Sequence, residues 1–305
     1  MRNLQIRDFI RNWILPPRIY QHISQSKKTL SNRITNPEDT SILLKNRKLK
    51  NKFFNKRCFV IGNGPSLARQ DLTHLKDEIT IVCNQFHKND VVKLWKPTVF
   101  CAGDPISSYL AGDPISSCLL NIDDSLLYLN EIFELTKSLY YIFPVCTYKF
   151  IQKHSDYLQL DRIDQSNLLG VNFGWDLDTL PSTNINIDLT KDIPSISHTP
   201  MLSIMTAIYM GCNPIILIGC DHDNFYKYLK GDYKITHFYE ELNPGSLENL
   251  SYLTITDAIR KTYESYQNLN WIAYNKGVKI FDATDQGHLD IFEKCKFLSL
   301  FDNKF

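Results

Sequence analysis

One short run constrains this chain more than any other: Cys58-Phe-Val-Ile-Gly-Asn-Gly-Pro-Ser-Leu67. Phe59, Val60 and Ile61 have the continuous apolar, β-branched and aromatic character of a buried strand. Gly62-Asn63-Gly64-Pro65-Ser66 then breaks it. The two glycines admit positive φ and let backbone approach a ligand closely. Pro65 suits a loop or a first helical turn, Ser66 can cap the next turn of the chain, and bare N–H groups there favour an anion. A tight strand-to-helix turn without a ligand is the plainer reading. The spacing matches neither the dinucleotide fingerprint nor a Walker A loop, because no third glycine and no Gly-Lys-Ser/Thr follows.

The rest of the chain supplies partners for that strand. Ile79–Cys83 reads as a second strand running into Asn84-Gln85-Phe86, and Thr98–Cys101 as a third. Residues 67–78 read as a helix or irregular turn. Ile122 to Lys137 is helical by period, and Leu139–Phe143 is a strand stopped by Pro144. Residues 155–197 show little pattern and are expected to be irregular structure over the sheet. An apolar helix from about Pro200 to Met210 feeds a long buried strand, Ile215 to Asp221; Leu253–Gln267 is a final helix and Val278–Phe281 a last strand before the closing turn Ala283–Leu289. Helix-then-strand units of this kind build a parallel sheet, so the expected fold is α/β, Rossmann-like and mostly parallel, with helices on its flanks. The polar, aromatic stretch 222–251 directly after a central strand reads as a lid.

Two features stand outside that pattern. Ala102-Gly-Asp-Pro-Ile-Ser-Ser-Tyr-Leu110 is repeated nearly letter for letter as Ala111–Leu119, too short a unit for a solenoid and best read as a duplication that lengthens a loop. Charge is also divided. The net value is +1, which excludes a whole-molecule field towards nucleic acid. Residues 1–57 nevertheless hold 14 Lys/Arg against 3 Asp/Glu, leaving 20 against 30 for the remainder. Ile6, Phe9, Ile10, Trp13 and Ile14 at helical spacing among Arg2, Arg7 and Arg11 form a basic amphipathic segment ended by Pro16-Pro17. Residues 1–20 are read as meeting an anionic membrane surface, with the basic tract Lys45–Arg57 in support, or else packing on the protein itself. The expected division is therefore a basic arm, 1–56, with a polar linker at 24–39, and one domain, 57–305.

Apolar content of 43% and charged content of 22% are those of a globular chain able to bury one sizeable core. The eight cysteines, at 58, 83, 101, 118, 146, 212, 220 and 295, form no Cys-x-x-Cys pair; this reads as a reduced cytoplasmic protein with neither zinc site nor disulfide framework. No 18-residue apolar run and no secretory leader is present. His198 with Asp221-His222-Asp223 imitates a metal set, but at no ligand spacing, and no metal is expected.

Gly-Asn-Gly-Pro-Ser-Leu, Cys-Asn-Gln-Phe and Ile-Gly-Cys-Asp, in this order, resemble the MptE-like (DUF115) group, with its bacterial sialyltransferase relatives that use a CMP-activated donor and the central domain of motility-associated flagellin glycosylation factors. The resemblance covers about residues 57–292 and is close only in the motifs. It implies a glycosyltransferase moving a CMP-activated sugar onto a surface glycan such as lipopolysaccharide or capsule. The CMP-sugar is then the donor substrate, no further cofactor is needed, and a glycan or glycolipid is the acceptor. The place of work is cytoplasmic, at the inner face of the membrane; a homo-oligomer is left open. Two other readings compete: a diphosphokinase passing pyrophosphate from ATP to a pterin alcohol with Mg²⁺, and a non-catalytic assembly protein that kept the nucleotide pocket.

Carried over residue by residue, the resemblance puts Asn63 and Asn84 beside the donor, with Gly62, Gly64, Pro65 and Ser66 forming the loop and Asp104 or its copy Asp113 near the site. Thr199 falls where the relatives have a small hydroxyl residue, and Tyr226 and Tyr228 where tyrosines bind the donor phosphate. Asp221 ends its strand at the donor, or simply accepts loop N–H groups there. His237 is the expected general base, since an imidazole titrating near neutrality suits proton abstraction, and His222 is its rival. Packing or surface roles for these histidines and tyrosines are the competing readings.

Overall fold

The computed structural model describes residues 36–104, 122–177, 185–240 and 245–302. In chain order the elements are α1 (Pro37–Leu44), β1 (Cys58–Ile61), β2 (Ile79–Cys83), β3 (Val99–Cys101), α2 (Ile122–Thr136) and β4 (Tyr140–Pro144). There follow α3 (Val145–Lys153), β5 (Leu168–Val171), β6 (Phe173–Asp176), β7 (Ile193–Ser195) and α4 (Thr199–Tyr209). The chain ends with β8 (Ile215–Ile218), α5 (Asn224–Leu229), α6 (Tyr252–Tyr274), β9 (Ile280–Asp282) and β10 (Glu293–Lys294). Short 3₁₀ turns fill many of the connections, including Pro65–Arg69 after β1 and Asn84–Lys88 after β2.

Eight strands form one sheet in the order β10-β9-β8-β1-β2-β3-β4-β5, and every neighbouring pair is parallel. The α/β, Rossmann-like expectation is met. Alternation along β1 shows why both faces are covered: Cys58 and Val60 join one apolar cluster, Phe59 and Ile61 the other. The first cluster is closed by α4 and α6, the second by α1, α2 and α3. Helix α4 is apolar nearly all round, and all but one of its residues are buried, as its position between sheet and α6 demands. From β1 the chain steps outward through β2, β3 and β4 to β5, then returns to place β8 on the other side of β1. The crevice beyond the carboxyl ends of β1 and β8 is therefore the topological switch point, where open α/β sheets bind ligands.

Three expectations are corrected here. Residues 155–197 are not wholly irregular: they supply β5, the outer strand of the sheet, and the separate parallel pair β6 and β7. These strands are three or four residues long, too short to show a period. The basic arm does not run to residue 56. Ile42, Leu43 and Leu49 are buried, and the Asn46 side chain donates to the carbonyls of Gly170 (2.7 Å) and Leu189 (2.6 Å). Residues 51–55 are fastened to the end of α4, with the N–H groups of Asn51, Phe53 and Asn55 donating to Tyr209, Met210 and Gly211. The lysines between these anchors point outward and hide the apolar pattern from a reading by charge. The last helix, finally, runs to Tyr274 and not Gln267, and the last strand seen in sequence is followed by β10.

The amphipathic segment at 4–15, the membrane contact assigned to residues 1–20 and most of the linker at 24–39 lie outside the described residues, as does the duplicated loop beyond Asp104, with Asp113. Among the described residues no helix is long and apolar enough to cross a membrane.

Candidate functional site

A cleft of about 170 Å³ opens at the switch point. Asn63, Gly64 and Pro65 line it from the end of β1, Cys83 and Asn84 from β2, and His198 and Thr199 from the start of α4. Gly219 to Asn224 close it from β8, and Thr236, His237 and Tyr239 from the lid. Of the residues singled out in sequence, Asn63, Gly64, Pro65, Asn84, Thr199, Asp221, His222 and His237 thus meet at one place, although up to 174 positions separate them in the chain.

The glycines work by close approach, and this corrects the expectation of positive φ. Gly64 has φ −66°, and neither it nor Gly62 is left-handed. A Cβ on Gly62 would strike the Gly219 carbonyl, and one on Gly64 would fall inside the Asp221 carboxylate. The left-handed residue is Gly219 (φ +64°) on the facing strand end, where a side chain would also meet Leu67 Cγ at 2.7 Å. Two non-glycine residues of the lining are left-handed as well, Asn84 and His222, both at φ 50°. Asparagine and histidine are among the side chains that enter this region more readily than most, yet it is uncommon for any residue but glycine and tends to cluster at functional sites.

Ser66 is not a helix cap. Gly64 holds that position, without a side-chain bond, while Ser66 is buried and turned to β8. Its N–H donates to Asp221 Oδ1 (3.0 Å) and its hydroxyl to Oδ2 (2.8 Å). The anion that the turn was expected to attract is thus supplied by the chain itself. Burial pushes the Asp221 carboxyl up, against the pull of both Ser66 bonds. Gly64 N–H donates to the Gly219 carbonyl (2.9 Å), so the two strand ends are tied at backbone level too.

Asn63 binds three segments together. Its Nδ2 donates to the Cys83 carbonyl (2.9 Å), and its own carbonyl accepts the Phe238 N–H from the lid (3.1 Å). Its Oδ1 is buried without a hydrogen-bond partner among the described residues, as is Thr199 Oγ1. An orphaned amide oxygen and an orphaned hydroxyl at the wall of one cleft, the first an acceptor and the second able to donate or accept, are groups that a polar ligand or water would satisfy. Thr199 also opens α4, so the positive end of that helix dipole faces the cleft; Pro200 next to it offers no N–H.

The two histidine candidates differ in kind. His222 is enclosed: its Nε2 lies 3.0 Å from the Tyr266 hydroxyl, and its ring stands edge-on to His198 at 5.1 Å. Burial pushes its pKa down to about 3, with His198 and Lys294 acting in the same direction. Burial alone takes His198 down to about 4, and its Nε2 faces Thr262 Oγ1 at 3.3 Å. Both rings are neutral at neutral pH. His237 instead sits on the lid, half-buried and stacked flat on Tyr239 at 5.0 Å, with Lys88 Nζ 4.7 Å from the other ring's centroid. Asp223 pairs with Lys227 (2.7 Å). Among the described residues no three His, Cys, Asp or Glu side chains converge as a metal-ligand set.

Besides Ser66, four candidates fall outside the lining. Gly62 lies behind it against Gly219, and Asp104 follows β3 beside it. Tyr226 is exposed, stacked on His288 (4.9 Å), and Tyr228 donates to the Leu250 carbonyl (3.0 Å). The tyrosine that does line the cleft is Tyr239, with Asp223, Asn224 and Thr236 beside it. The sequence marked the lid as a whole, but with so many tyrosines in one loop it held no signal for which of them turns inward.

No protein-family model matches the chain, and no curated protein does. Among solved structures it is similar to a MAf glycosyltransferase from Magnetospirillum magneticum AMB-1, at 9% identity and a TM-score of 0.45 over 85% of this chain. The chain spans only 38% of that protein's length. It is similar too to the sialyltransferase CstII from Campylobacter jejuni, in a structure with the substrate analogue CMP-3FNeuAc. There the identity is 14% and the TM-score 0.43, over 78% of this chain and 85% of the other. The α/β fold itself rests on the parallel eight-stranded sheet.

Proposed function

We propose that the chain is a glycosyltransferase that uses a CMP-activated sugar, acting on a surface glycan from the cytoplasmic side. The observation that carries this reading is the convergence of Asn63, Asn84, Thr199 and His237, drawn from four separate segments, on one cleft at the switch point. These are the positions that the motif resemblance assigns to donor and base. Asn63 and Asn84 then hold the nucleotide. The donor phosphate meets the Thr199 hydroxyl and the start of α4, so its charge is stabilised by a dipole and neutral donors. The acceptor hydroxyl attacks the anomeric carbon, the bond from that carbon to the phosphate oxygen breaks, and CMP departs. His237 takes the acceptor proton; His222, held neutral down to about pH 3, is a poor base at neutrality. The donor needs no further cofactor in this scheme.

Thermal shift with CMP, CDP and ATP, the last with and without Mg²⁺, tests the reading, because a ligand of the folded state raises its stability by mass action. A shift with CMP, reduced in Asn63→Ala and Thr199→Val, is expected. A response to ATP with Mg²⁺ alone would move the assignment to diphosphate transfer, and none at all would favour a non-catalytic binding protein. Release of CMP from CMP-sugars in the presence of glycan acceptors then tests the transfer itself.

A further inference from the structure

In a wholly parallel sheet the residues just before each strand all lie at the same end, opposite the cleft. Here that end carries a lysine before strand after strand: Lys56 before β1, Lys76 before β2, Lys96 before β3, Lys137 before β4, and Lys276 and Lys279 before β9. All six are exposed, and none is ion-paired to a carboxylate among the described residues. The acidic side chains close by are few. Glu78 is held by Arg57, Asp188 faces Lys191 at 3.9 Å, and Asp77 and Asp302 remain. At the carboxyl ends of the strands charges of both signs meet: Asp223 pairs with Lys227, Asp282 with Lys294 and Asp285 with Arg69. The amino-terminal end of the sheet thus carries positive charge that no nearby carboxylate neutralises directly.

The basic end is also studded with apolar side chains. Phe54 is 65% exposed, Leu139 50% and Tyr274 78%. Phe54 does not sit on a loose loop: the N–H groups on either side of it, Phe53 and Asn55, are bonded to Met210 and Gly211, and Asn213 next to them reaches the Gly277 carbonyl beside Tyr274 (3.3 Å). Phe54 and Tyr274 thus project from one braced surface. Exposed rings and a leucine set among lysines without carboxylate partners are out of place against water, but they match the interface of an anionic bilayer, where lysines meet phosphates and rings enter the headgroup layer.

We infer that this amino-terminal end of the sheet is a membrane-docking face for an anionic lipid surface, built into the folded core and separate from residues 1–35. It does not depend on what the cleft does. A bilayer is favoured over a nucleic acid because a polyanion strand would have no use for Leu139 and Phe54.

The test is sedimentation of the full-length chain with phosphatidylcholine vesicles, with and without phosphatidylserine. Wild type is expected to bind only the anionic vesicles. Reversal of four face lysines (Lys56→Glu, Lys96→Glu, Lys137→Glu, Lys276→Glu) should weaken binding by about six hundredfold, given roughly fivefold per lysine near the surface. Reversal of four exposed lysines elsewhere (Lys88→Glu, Lys230→Glu, Lys234→Glu, Lys261→Glu) should cost about tenfold at most. Single reversals, about fivefold each, serve if the fourfold variant does not fold. Phe54→Ala with Leu139→Ala should also weaken binding, at high salt as at low. No binding by wild type, or equal losses in the two lysine sets, overturns the proposal. So does a face that binds duplex nucleic acid as tightly as vesicles and is indifferent to the loss of Phe54 and Leu139.

Discussion

Asp221 accepts both hydrogen-bond donors of Ser66, the N–H at 3.0 Å and the hydroxyl at 2.8 Å, and so bolts the turn after β1 to the end of β8 across the switch point. Asp221→Asn places an amide group against one of two donors that need an acceptor. A loss of about 1–3 kcal/mol is expected, the usual cost of an unsatisfied buried group. Ser66→Ala should cost less, since the N–H bond survives. Urea midpoints of the two single variants and the double variant measure the coupling; additive losses would show that the two side chains do not act as one link.

Gly64 faces the same carboxylate. Gly64→Ala should destabilise the fold and remove nucleotide binding together, because its Cβ falls where Asp221 already stands. Combining it with Asp221→Gly, which clears that space, should restore part of the stability but not the binding. A Gly64→Ala protein as stable as wild type would contradict the close approach of the two strand ends.

The two histidines give separable kinetics. His237→Ala should lower turnover by roughly 10²–10⁴-fold with little change in CMP affinity, as expected for a positioned base facing the acceptor. His222→Ala should act mainly on stability, through the lost contact with Tyr266, with a smaller effect on turnover. The acidic limb of the rate profile should disappear with His237 and persist without His222. The reverse pattern would exchange the two roles.

His198 and His222 also predict an acid sensitivity. Their folded pKa values, about 4 and about 3, lie below the ordinary histidine value near 6.5, so the unfolded chain binds more protons between these limits. Their stabilising effect is complete above about pH 6.5 and is lost as the pH falls towards 3. At pH 5 the pair should cost about 2–4 kcal/mol relative to pH 7. Urea midpoints at the two pH values should differ less in the double variant His198→Asn, His222→Asn than in wild type. An equal difference would mean that other groups carry the acid response.

The central strands were legible because each is an apolar run ending in punctuation: Val60-Ile61 before Gly62, Val82-Cys83 before Asn84, Leu217-Ile218 before Gly219. Position at the switch point then followed for Asn63, Asn84 and Asp221. What remained hidden was set by tertiary contact. That Ser66 serves Asp221 and not a helix end depends on β8, 149 residues beyond it at Ile215. That Tyr239 lines the cleft while Tyr226 and Tyr228 do not depends on Phe238, whose N–H fixes the lid to Asn63 and whose ring packs by Phe86 at 6.3 Å. The strand β5 was missed because a four-residue strand with a glycine in it has almost no signature of its own.

That outer strand has a further consequence. A sheet margin whose carbonyls face water can recruit another chain and seed aggregation. On the β10 side the margin is only two residues long. On the β5 side α1 lies against the strand, and Asn46 takes up the Gly170 carbonyl. Residues 37–49, which look by charge like part of a tail, thus act as a guard rail. A chain cut to begin at residue 57 would leave β5 open to pairing with its own kind and would self-associate on storage, whereas one cut to begin at residue 36 would keep the guard and stay dispersed.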